Sequence, residues 1–210
     1  EDAVYYLGNN HGGLVQVGEQ TYIFYHRHTH GMQYSRQGCA EQVSIETDGS
    51  IRQVEITSCG LNGGPLRARG EYSSHLACYL RSTEGILHYS SHVHWNDAHP
   101  YIAQEQEDGA ATLQNQFIYN LKDGAECGFK YFLFDGTEKQ IGLRIRGKFS
   151  GEIQVILDDP DGSPVAAIEV TEGERWHWDN ARLSVLAGTH ALYFKVSGQG
   201  SCDLDAFFIS

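Results

Sequence analysis

The sequence is poor in methionine, in basic residues and in long apolar runs. Met32 is its only methionine among 210 residues, and Lys and Arg number 15 against 27 Asp and Glu, a net charge of −12. No apolar run approaches the roughly 20 residues that cross a bilayer, and an acidic surface repels phosphate backbones and anionic lipid head groups. We therefore expect neither a membrane nor nucleic acid as a partner. Because the chain starts at Glu1 without an initiator methionine, we expect it to be processed or part of a longer protein.

Metal-binding cysteine patterns are also missing. The five cysteines are widely spaced, with no CxxC pair and no His-rich partner motif at zinc spacing. An odd number leaves at least one thiol unpaired. The sequence predicts buried free cysteines, with one disulfide as the alternative, so it does not define the redox compartment. These residues are Cys39, Cys59, Cys78, Cys127 and Cys202.

What the sequence does contain is a β pattern through almost its whole length. Residues 14–17 and 21–26 flank a short polar turn and predict a hairpin, as do residues 43–46 and 51–56 around an Asp-Gly turn. Glycine is abundant, at 24 residues, and a helix is expected only in a short stretch near residues 71–80. Further strands are predicted at residues 116–120, 129–134, 140–146, 152–157, 165–170, 191–196 and 204–209.

The organisation changes near residue 98, which divides the chain into residues 1–98 and 99–210. After it, predicted strands recur with turn signals between them, which is typical of a β-sandwich. Before it, two hairpins are too few for a stable domain, because an isolated hairpin is marginal in water. The first region is therefore expected to complete a larger sheet whose other strands are absent from this chain.

Four ordered motifs within residues 5–70 resemble the end of the catalytic domain of glycoside hydrolase family 43. They are GNNHG, YIFYHR, SRQG and DGSI, which begin at residues 8, 22, 35 and 48. The resemblance implies the last blade of a five-bladed β-propeller and an inverting mechanism with an Asp base, a Glu acid and an orienting Asp. In that family all three acids precede GNNHG, so no catalytic residue is expected here. Glu41, Glu46, Asp48 and Glu55 are interpreted as ordinary strand and turn acids.

The same resemblance implies roles for three side chains of the first region. His11 is expected to help hold a calcium or sodium ion on the propeller axis, with Gln42 contributing through its amide oxygen. Arg36 matches an arginine near the active-site floor, where it can orient a carboxylate or sugar hydroxyls, and a simple salt bridge is the alternative. A zinc site of three alternating histidines is a weaker rival, because the strand is expected to end among them. They are His26, His28 and His30.

Residues 101–210 resemble a carbohydrate-binding module of family 6. The resemblance rests on the runs NLKDG, GFKYF, WHW and AGTHAL and on the ending DLDAF. It implies a jelly-roll sandwich with a cleft in which Trp176 and Phe129 stack on sugar rings. For Phe129 the alternation of residues 128–134 leaves open an inward orientation instead. Asp203 stands where many family members have an Asn that bonds sugar hydroxyls, so an acceptor is kept and a donor is lost. Trp178 is expected in the core.

The family 6 resemblance also implies a structural calcium ion. Acidic side chains near the first and last strands of the sandwich would supply its oxygen ligands and join the two ends of the domain. Asp205 is the candidate from the last strand, and Glu105 or Glu107 from the first. The alternative is that these acids are simply solvated.

Together the two resemblances predict the parent protein. It is expected to be an exo-acting hemicellulase, an α-L-arabinofuranosidase or a β-xylosidase, acting on xylan or arabinoxylan. The expected location is secreted or extracytoplasmic, with the cytoplasm left open. Two alternatives remain at this point: a non-catalytic sugar-binding module, and a sandwich with a purely structural role.

Overall fold

Residues 11–29, 32–86, 98–105 and 115–210 are described by the computed structural model of the chain. Within these ranges the regular elements are strands and two short 3₁₀ turns. The predicted all-β class is therefore confirmed, whereas the propeller and the jelly roll stay predictions. The described ranges include no helix that is long and apolar enough to cross a membrane. All five cysteines are free thiols.

The first three strands form a small antiparallel sheet. β1 (Gly13–Val17) pairs with β2 (Gln20–Thr29), which pairs with β3 (Met32–Val43). The first predicted hairpin is thus confirmed, and β3 adds a strand that the sequence pattern did not predict. β1 lies at one edge of this sheet, and all five of its residues are exposed. One side of the sheet therefore ends, within the described residues, in an uncovered strand.

The connection that follows is mostly irregular, so the second predicted hairpin is wrong. Ile45 and Ile51 form a single isolated bridge, around a turn in which the Gly49 amide donates to the Glu46 carbonyl at 2.9 Å. The Asp-Gly turn was correctly predicted, but the strands do not continue from it. Both isoleucines are about half exposed, at 53% and 46%, and an unburied hairpin has too little apolar contact to persist.

The short helix expected near residues 71–80 is also wrong. The segment contains β5 (Gly70–Ser73), a 3₁₀ turn (Ser74–Leu76) and β6 (Tyr79–Arg81). The buried Ser74 hydroxyl donates to the Leu204 carbonyl at 2.5 Å. Pairing with distant strands therefore decides the conformation here, and it overrides weak local helix propensity.

A second, ten-stranded sheet contains the other strands of the described residues. Its strands are β4 (Leu66–Arg67), β5, β6, β7 (Tyr101–Gln104), β8 (Gln116–Leu121), β9 (Glu126–Phe134), β10 (Gln140–Leu157), β11 (Pro164–Val170), β12 (Gly173–Arg182) and β13 (Gly188–Ile209). The later predicted strands are confirmed. Residues 140–146 and 152–157 both belong to the long strand β10, and residues 191–196 and 204–209 both belong to the long strand β13. β12 was missed.

Two long strands curl this sheet around its main hydrophobic core. β10 pairs with β12 through residues 140–147 and with β11 through residues 151–156, while β13 pairs with β10 along nearly its whole length. The bend between the halves contains Gly200, at φ 93°, where an added Cβ would lie 1.9 Å from the Lys148 carbonyl oxygen. Only glycine fits there, because the two backbones approach too closely for a side chain.

The core of the curled sheet is rich in phenylalanine. Phe129, Phe132, Phe194 and Phe207 are all 0% exposed. Their rings meet at tilted and edge-on angles, with centroids 4.7 Å apart for Phe129 and Phe207 and 5.4 Å apart for Phe129 and Phe194. Such packed aromatic contacts provide a large share of a small domain's stability.

Strands that precede residue 98 belong to the same sheet. β4 pairs with β9, β5 with β13 and β6 with β9. Residues 66–81 are thus continuous with the sandwich-like sheet, although the sequence pattern grouped them with the first region. The domain division at residue 98 itself stays a prediction.

Candidate functional site

The alternation of β10 builds the most elaborate polar cluster of the described residues. Ile141, Leu143 and Ile145 point into the core and are 0% exposed. Alternate residues of a strand point to opposite faces, so Arg144 and Arg146 lie on the outer face of the same strand. Two guanidinium groups are therefore fixed side by side on the outside of the curled sheet.

Arg146 is the centre of this cluster. Its Nε donates to Asp203 Oδ2 at 3.1 Å, and its Nη1 donates to Glu105 Oε1 at 2.8 Å. The guanidinium carbon lies 4.2 Å from the centroid of Trp176 and 4.8 Å from that of Phe117. Arginine suits such a position, because its flat cation can stack on rings while its edge donates to carboxylates.

The cluster also contains two of the predicted sugar-binding residues. Trp176 is half-buried, and its indole nitrogen donates to Glu105 Oε1 at 3.1 Å. Asp203 Oδ1 accepts a bond from the backbone N–H of Asn120 at 3.1 Å, in addition to the bond that Oδ2 accepts from Arg146. Burial raises the pKa of the Asp203 carboxyl, and the hydrogen bonds from Asn120 and Arg146 oppose that rise. The structure therefore brings Trp176 and Asp203 together, with both engaged by Arg146.

Two other aromatic predictions are wrong. Phe129, expected at the cleft, is buried in the core between Phe194 and Phe207. Its strand β9 is paired on both sides, so nearly all of its residues are buried and alternation gave no guidance. Trp178, expected in the core, is 38% exposed and packs edge-on against Phe208, with centroids 5.2 Å apart.

The two predicted calcium ligands within the described residues, Glu105 and Asp205, each accept a bond from an arginine. Asp205 Oδ2 accepts a bond from Arg144 Nη1 at 2.7 Å, and Oδ1 accepts one from the Asn115 amide group. Glu105 is held by Arg146 and Trp176. Calcium takes six to eight oxygen ligands, and a guanidinium already bound to each carboxylate opposes a second cation there. The chemistry of these two carboxylates therefore does not fit calcium, and Glu107 lies outside the described residues.

In the three-stranded sheet, the predicted ion ligands lie apart. The exposed His11 ring packs against His26, with centroids 4.7 Å apart. Gln42 lies opposite Tyr22, which is four residues, or about 13 Å, from His26 along β2. Its amide donates to the Gln20 side chain. His11 and Gln42 therefore do not share a site in this structure.

Arg36 lies opposite His28 in the β2–β3 pair. Burial lowers the pKa of His28, and the charges of Arg36 and the neighbouring His26 lower it further. The rings of His26 and His28 are 5.8 Å apart, and His30 lies outside the described residues. Among residues 11–29, 32–86, 98–105 and 115–210, no three His, Cys, Asp or Glu side chains are placed to hold a metal.

Between the two sheets lies a cavity of about 510 Å³. Tyr25 and Arg27 of β2 line it together with the His75 segment and the connection near Thr57. Arg27 donates to the carbonyl oxygens of residues 75 and 77. The buried Glu41 carboxylate accepts bonds from Thr57 N at 2.8 Å and Thr57 Oγ1 at 2.6 Å, and burial raises its pKa. These bonds join the three-stranded sheet to the rest of the molecule.

The key residues that the sequence analysis missed are Arg146 and Phe117. The signal for Arg146 was present, because apolar and polar residues alternate through residues 141–146 and place both arginines on one face. No such signal named its partners. Glu105 and Trp176 are 41 and 30 positions away from Arg146, and only strand pairing brings them near.

Comparison with known proteins agrees with the motifs. No protein-family model matches the chain. A curated xylosidase/arabinosidase from Thermoclostridium stercorarium is 41% identical over 208 residues, which cover 99% of this chain and 43% of that protein. The chain thus spans less than half the length of this relative.

Two solved structures share the fold. A glycoside hydrolase family 43 arabinoxylan arabinofuranohydrolase from Bacillus subtilis matches with a TM-score of 0.63 at 19% identity, covering 97% of this chain and 41% of that one. A family 6 carbohydrate-binding module from Clostridium cellulolyticum, solved with xylose, matches with a TM-score of 0.53 at 13% identity, covering 69% and 99%. At these identities the two structures show the fold alone.

The chain is all-β, with a small sheet followed by a curled sheet whose fold is similar to that of family 6 carbohydrate-binding modules. Its particular resemblance is to xylosidase/arabinosidase proteins, and the similarity to family 43 enzymes with a family 6 module, predicted from the motifs, is confirmed.

Proposed function

We propose that this chain is the C-terminal segment of an inverting, hemicellulose-degrading glycoside hydrolase. The substrate class is xylan or arabinoxylan, and the activity is that of an α-L-arabinofuranosidase or a β-xylosidase. The observation that carries the proposal is the 41% identity to a xylosidase/arabinosidase along 99% of the chain. The relative is more than twice as long, which leaves room in it for a further catalytic portion.

The edge of the small sheet supports this proposal. Leu14 and Val17 of β1 are 50% and 54% exposed, and apolar strand edges of this kind normally pair with another strand or are covered. An upstream part of the same protein would supply that neighbour. Under the proposal, β1 to β3 belong to the last blade of a propeller whose other blades precede them.

The carboxylates around the small sheet give a second line of support. Glycoside hydrolysis needs one carboxyl group to protonate the leaving oxygen and another to activate water. Glu41 and Glu55 line a common cavity of about 310 Å³, but Glu41 is held by Thr57. Glu55 accepts bonds from Lys130 at 3.1 Å and from the Tyr131 hydroxyl at 2.9 Å. Both acids therefore act as structural acceptors, and the proposed catalytic acids lie upstream.

The test is an activity assay on aryl arabinofuranosides and aryl xylosides. This chain is compared with the same protein extended on its N-terminal side to the length of the curated relative. We expect hydrolysis by the extended protein and none by this chain. Hydrolysis by this chain alone would refute the placement of the catalytic acids, and an inactive extended protein on both substrates would refute the substrate class.

A second candidate function is sugar binding by the sandwich without catalysis. The observation in its favour is the half-buried Trp176 ring on the outer face, together with the family 6 fold. Titration calorimetry with xylo-oligosaccharides tests it, with Trp176→Ala as the variant and Trp178→Ala as the matched control. Binding that is lost in the first variant and kept in the second supports this function. If titration of the unchanged chain gives no heat of binding, the result contradicts this function.

The proposed substrate is an external polymer, so we also propose an extracytoplasmic location for the parent protein. Cell fractionation with an antibody against this chain tests it. Recovery in the culture medium is expected, and recovery only in the cytosolic fraction would contradict it.

A further inference from the structure

We propose that Arg144 and Arg146 take the structural place of the calcium ion in this sandwich, so that the domain folds without a divalent cation. The family 6 resemblance assigned a calcium ion to carboxylates near the first and last strands. In this chain the two described candidates, Glu105 and Asp205, each bind one of these arginines instead.

Arg146 joins elements that are distant in the sequence. It stands on β10 and binds Asp203 of β13 and Glu105, the residue that follows β7. Its flat face contacts Trp176 of β12 and Phe117 of β8. These five strands are neighbours in one half of the sheet, in the order β12, β10, β13, β8 and β7. One side chain therefore connects all five strands. A calcium ion can make such a connection through its six to eight ligands.

Arg144 makes a second, smaller junction two residues away. It binds Asp205, which is only 4% exposed. Asp205 also accepts a bond from Asn115, the residue before β8. A buried carboxylate is stable only when it is paired and hydrogen-bonded, and both conditions are met here by protein groups.

Most of the carboxylate oxygens in this cluster already accept bonds from protein donors. Glu105, Asp203 and Asp205 together carry six oxygens, and five of them accept bonds from the described residues. A calcium ion bound to these carboxylates would lie beside two guanidinium charges, which would repel it. Displacing Arg146 would also be costly, because its guanidinium lies over the rings of Trp176 and Phe117.

The first arm of the test uses the unchanged chain and needs no variant. Its thermal unfolding is followed by circular dichroism after dialysis against EDTA, and again with millimolar calcium chloride. We expect the two midpoints to agree within about 1 °C, since a bound cation would raise the midpoint by mass action. A midpoint that EDTA lowers by more than about 5 °C, and that calcium restores, would overturn the proposal.

The second arm removes the guanidinium. Arg146→Met keeps much of the apolar stem, and we expect it to lower the midpoint by at least about 5 °C, because it leaves Asp203 and Glu105 without their cation. Arg182→Met on β12 is the matched control, since Arg182 is exposed, and should change the midpoint by less than about 1 °C. Equal midpoints for the two variants would contradict the role of Arg146.

If Arg146→Met does not fold, Glu105→Gln tests the same network with a smaller change. It keeps the shape and removes one charge of the network. We expect a smaller loss of a few degrees that is the same in EDTA and in calcium. A loss seen only in calcium would show that Glu105 is a metal ligand and would refute the proposal.

Discussion

The small sheet and the curled sheet are built from similar strands but differ in what covers them. In β1, Leu14 and Val17 are about half exposed, whereas Leu143 and Ile145 of β10 are fully buried. Apolar strand residues therefore define the secondary structure in both regions. They stabilise the fold only where other strands pack over them and bury their side chains. The difference between the regions is one of packing partners rather than of local sequence.

The two regions are nevertheless joined by specific bonds. Arg27 and Gln37 of the small sheet both donate to the carbonyl oxygen of His75. On the other side of the junction, Lys130 of the curled sheet pairs with Glu55 in the connection. The small sheet therefore depends on the curled sheet for its position, and the reverse dependence is expected to be weak.

Matched substitutions of phenylalanine should give the largest contrast between the regions. We expect Phe207→Ala to lower the free energy of unfolding by about 3–5 kcal/mol, because its fully buried ring contacts Phe129, Phe132 and Phe194. Phe24→Ala, whose ring is 36% exposed in β2, should cost less than about 1.5 kcal/mol. Urea unfolding of both variants measures this. Equal losses would mean that the packing around Phe24 contributes as much to the free energy of unfolding as the packing around Phe207.

The next prediction concerns the junction. Arg27→Met removes a charged donor from the carbonyls of residues 75 and 77. Although Gln37 still donates to the first of them, the loss should cost about 1–3 kcal/mol. Limited proteolysis should then cut within residues 11–43 while the curled sheet stays resistant. Arg52→Met, on an exposed turn in a salt bridge with Glu46, is the control and should leave the digest unchanged. Simultaneous digestion of both regions in Arg27→Met would show that the two sheets unfold as one unit.

The strands themselves could largely be predicted from the sequence, whereas their partners could not. Runs of apolar, β-branched and aromatic residues between turn residues located β2, β8, β9 and β11. β12 was missed because charged residues and aromatic residues follow one another in it and most of it is partly exposed. β4, β5 and β6 are too short to show a period, and distant strands hold them in place.

The site was predicted in composition but not in arrangement. Trp176, Asp203 and Glu105 were all selected, yet as members of a sugar cleft and a calcium site. The structure joins them through Arg146, a residue with no motif of its own. Register and the curl of β10 decide which carboxylates meet a guanidinium, and neither can be obtained from a local pattern.

A pH-dependent prediction compares a buried histidine with its replacement. Burial lowers the pKa of His99. The folded state therefore binds the proton at a lower pH than the unfolded chain, whose histidine titrates near pH 6.5. The stability that His99 confers is therefore fully present above about pH 6.5 and declines as the pH falls below it. We expect the stability difference between the chain and His99→Gln to shrink from pH 7.5 to pH 5.5 in urea unfolding. A difference that grows in this interval would contradict the predicted sign.

The smallest expected effect concerns the edge strand β1 of the small sheet. It tests whether β1 is exposed also in the N-terminally extended protein or only in this chain. Leu14→Ser changes a half-exposed side chain of β1, so in this chain it should alter the free energy of unfolding by less than about 0.5 kcal/mol. In a protein extended on the N-terminal side, a neighbouring strand would bury the same leucine, and the loss should rise to more than about 1 kcal/mol. Chemical unfolding of the two lengths, each with and without the substitution, measures the difference. An equally small effect in both would mean that β1 stays an open edge, and the proposed propeller blade would lose its main structural support.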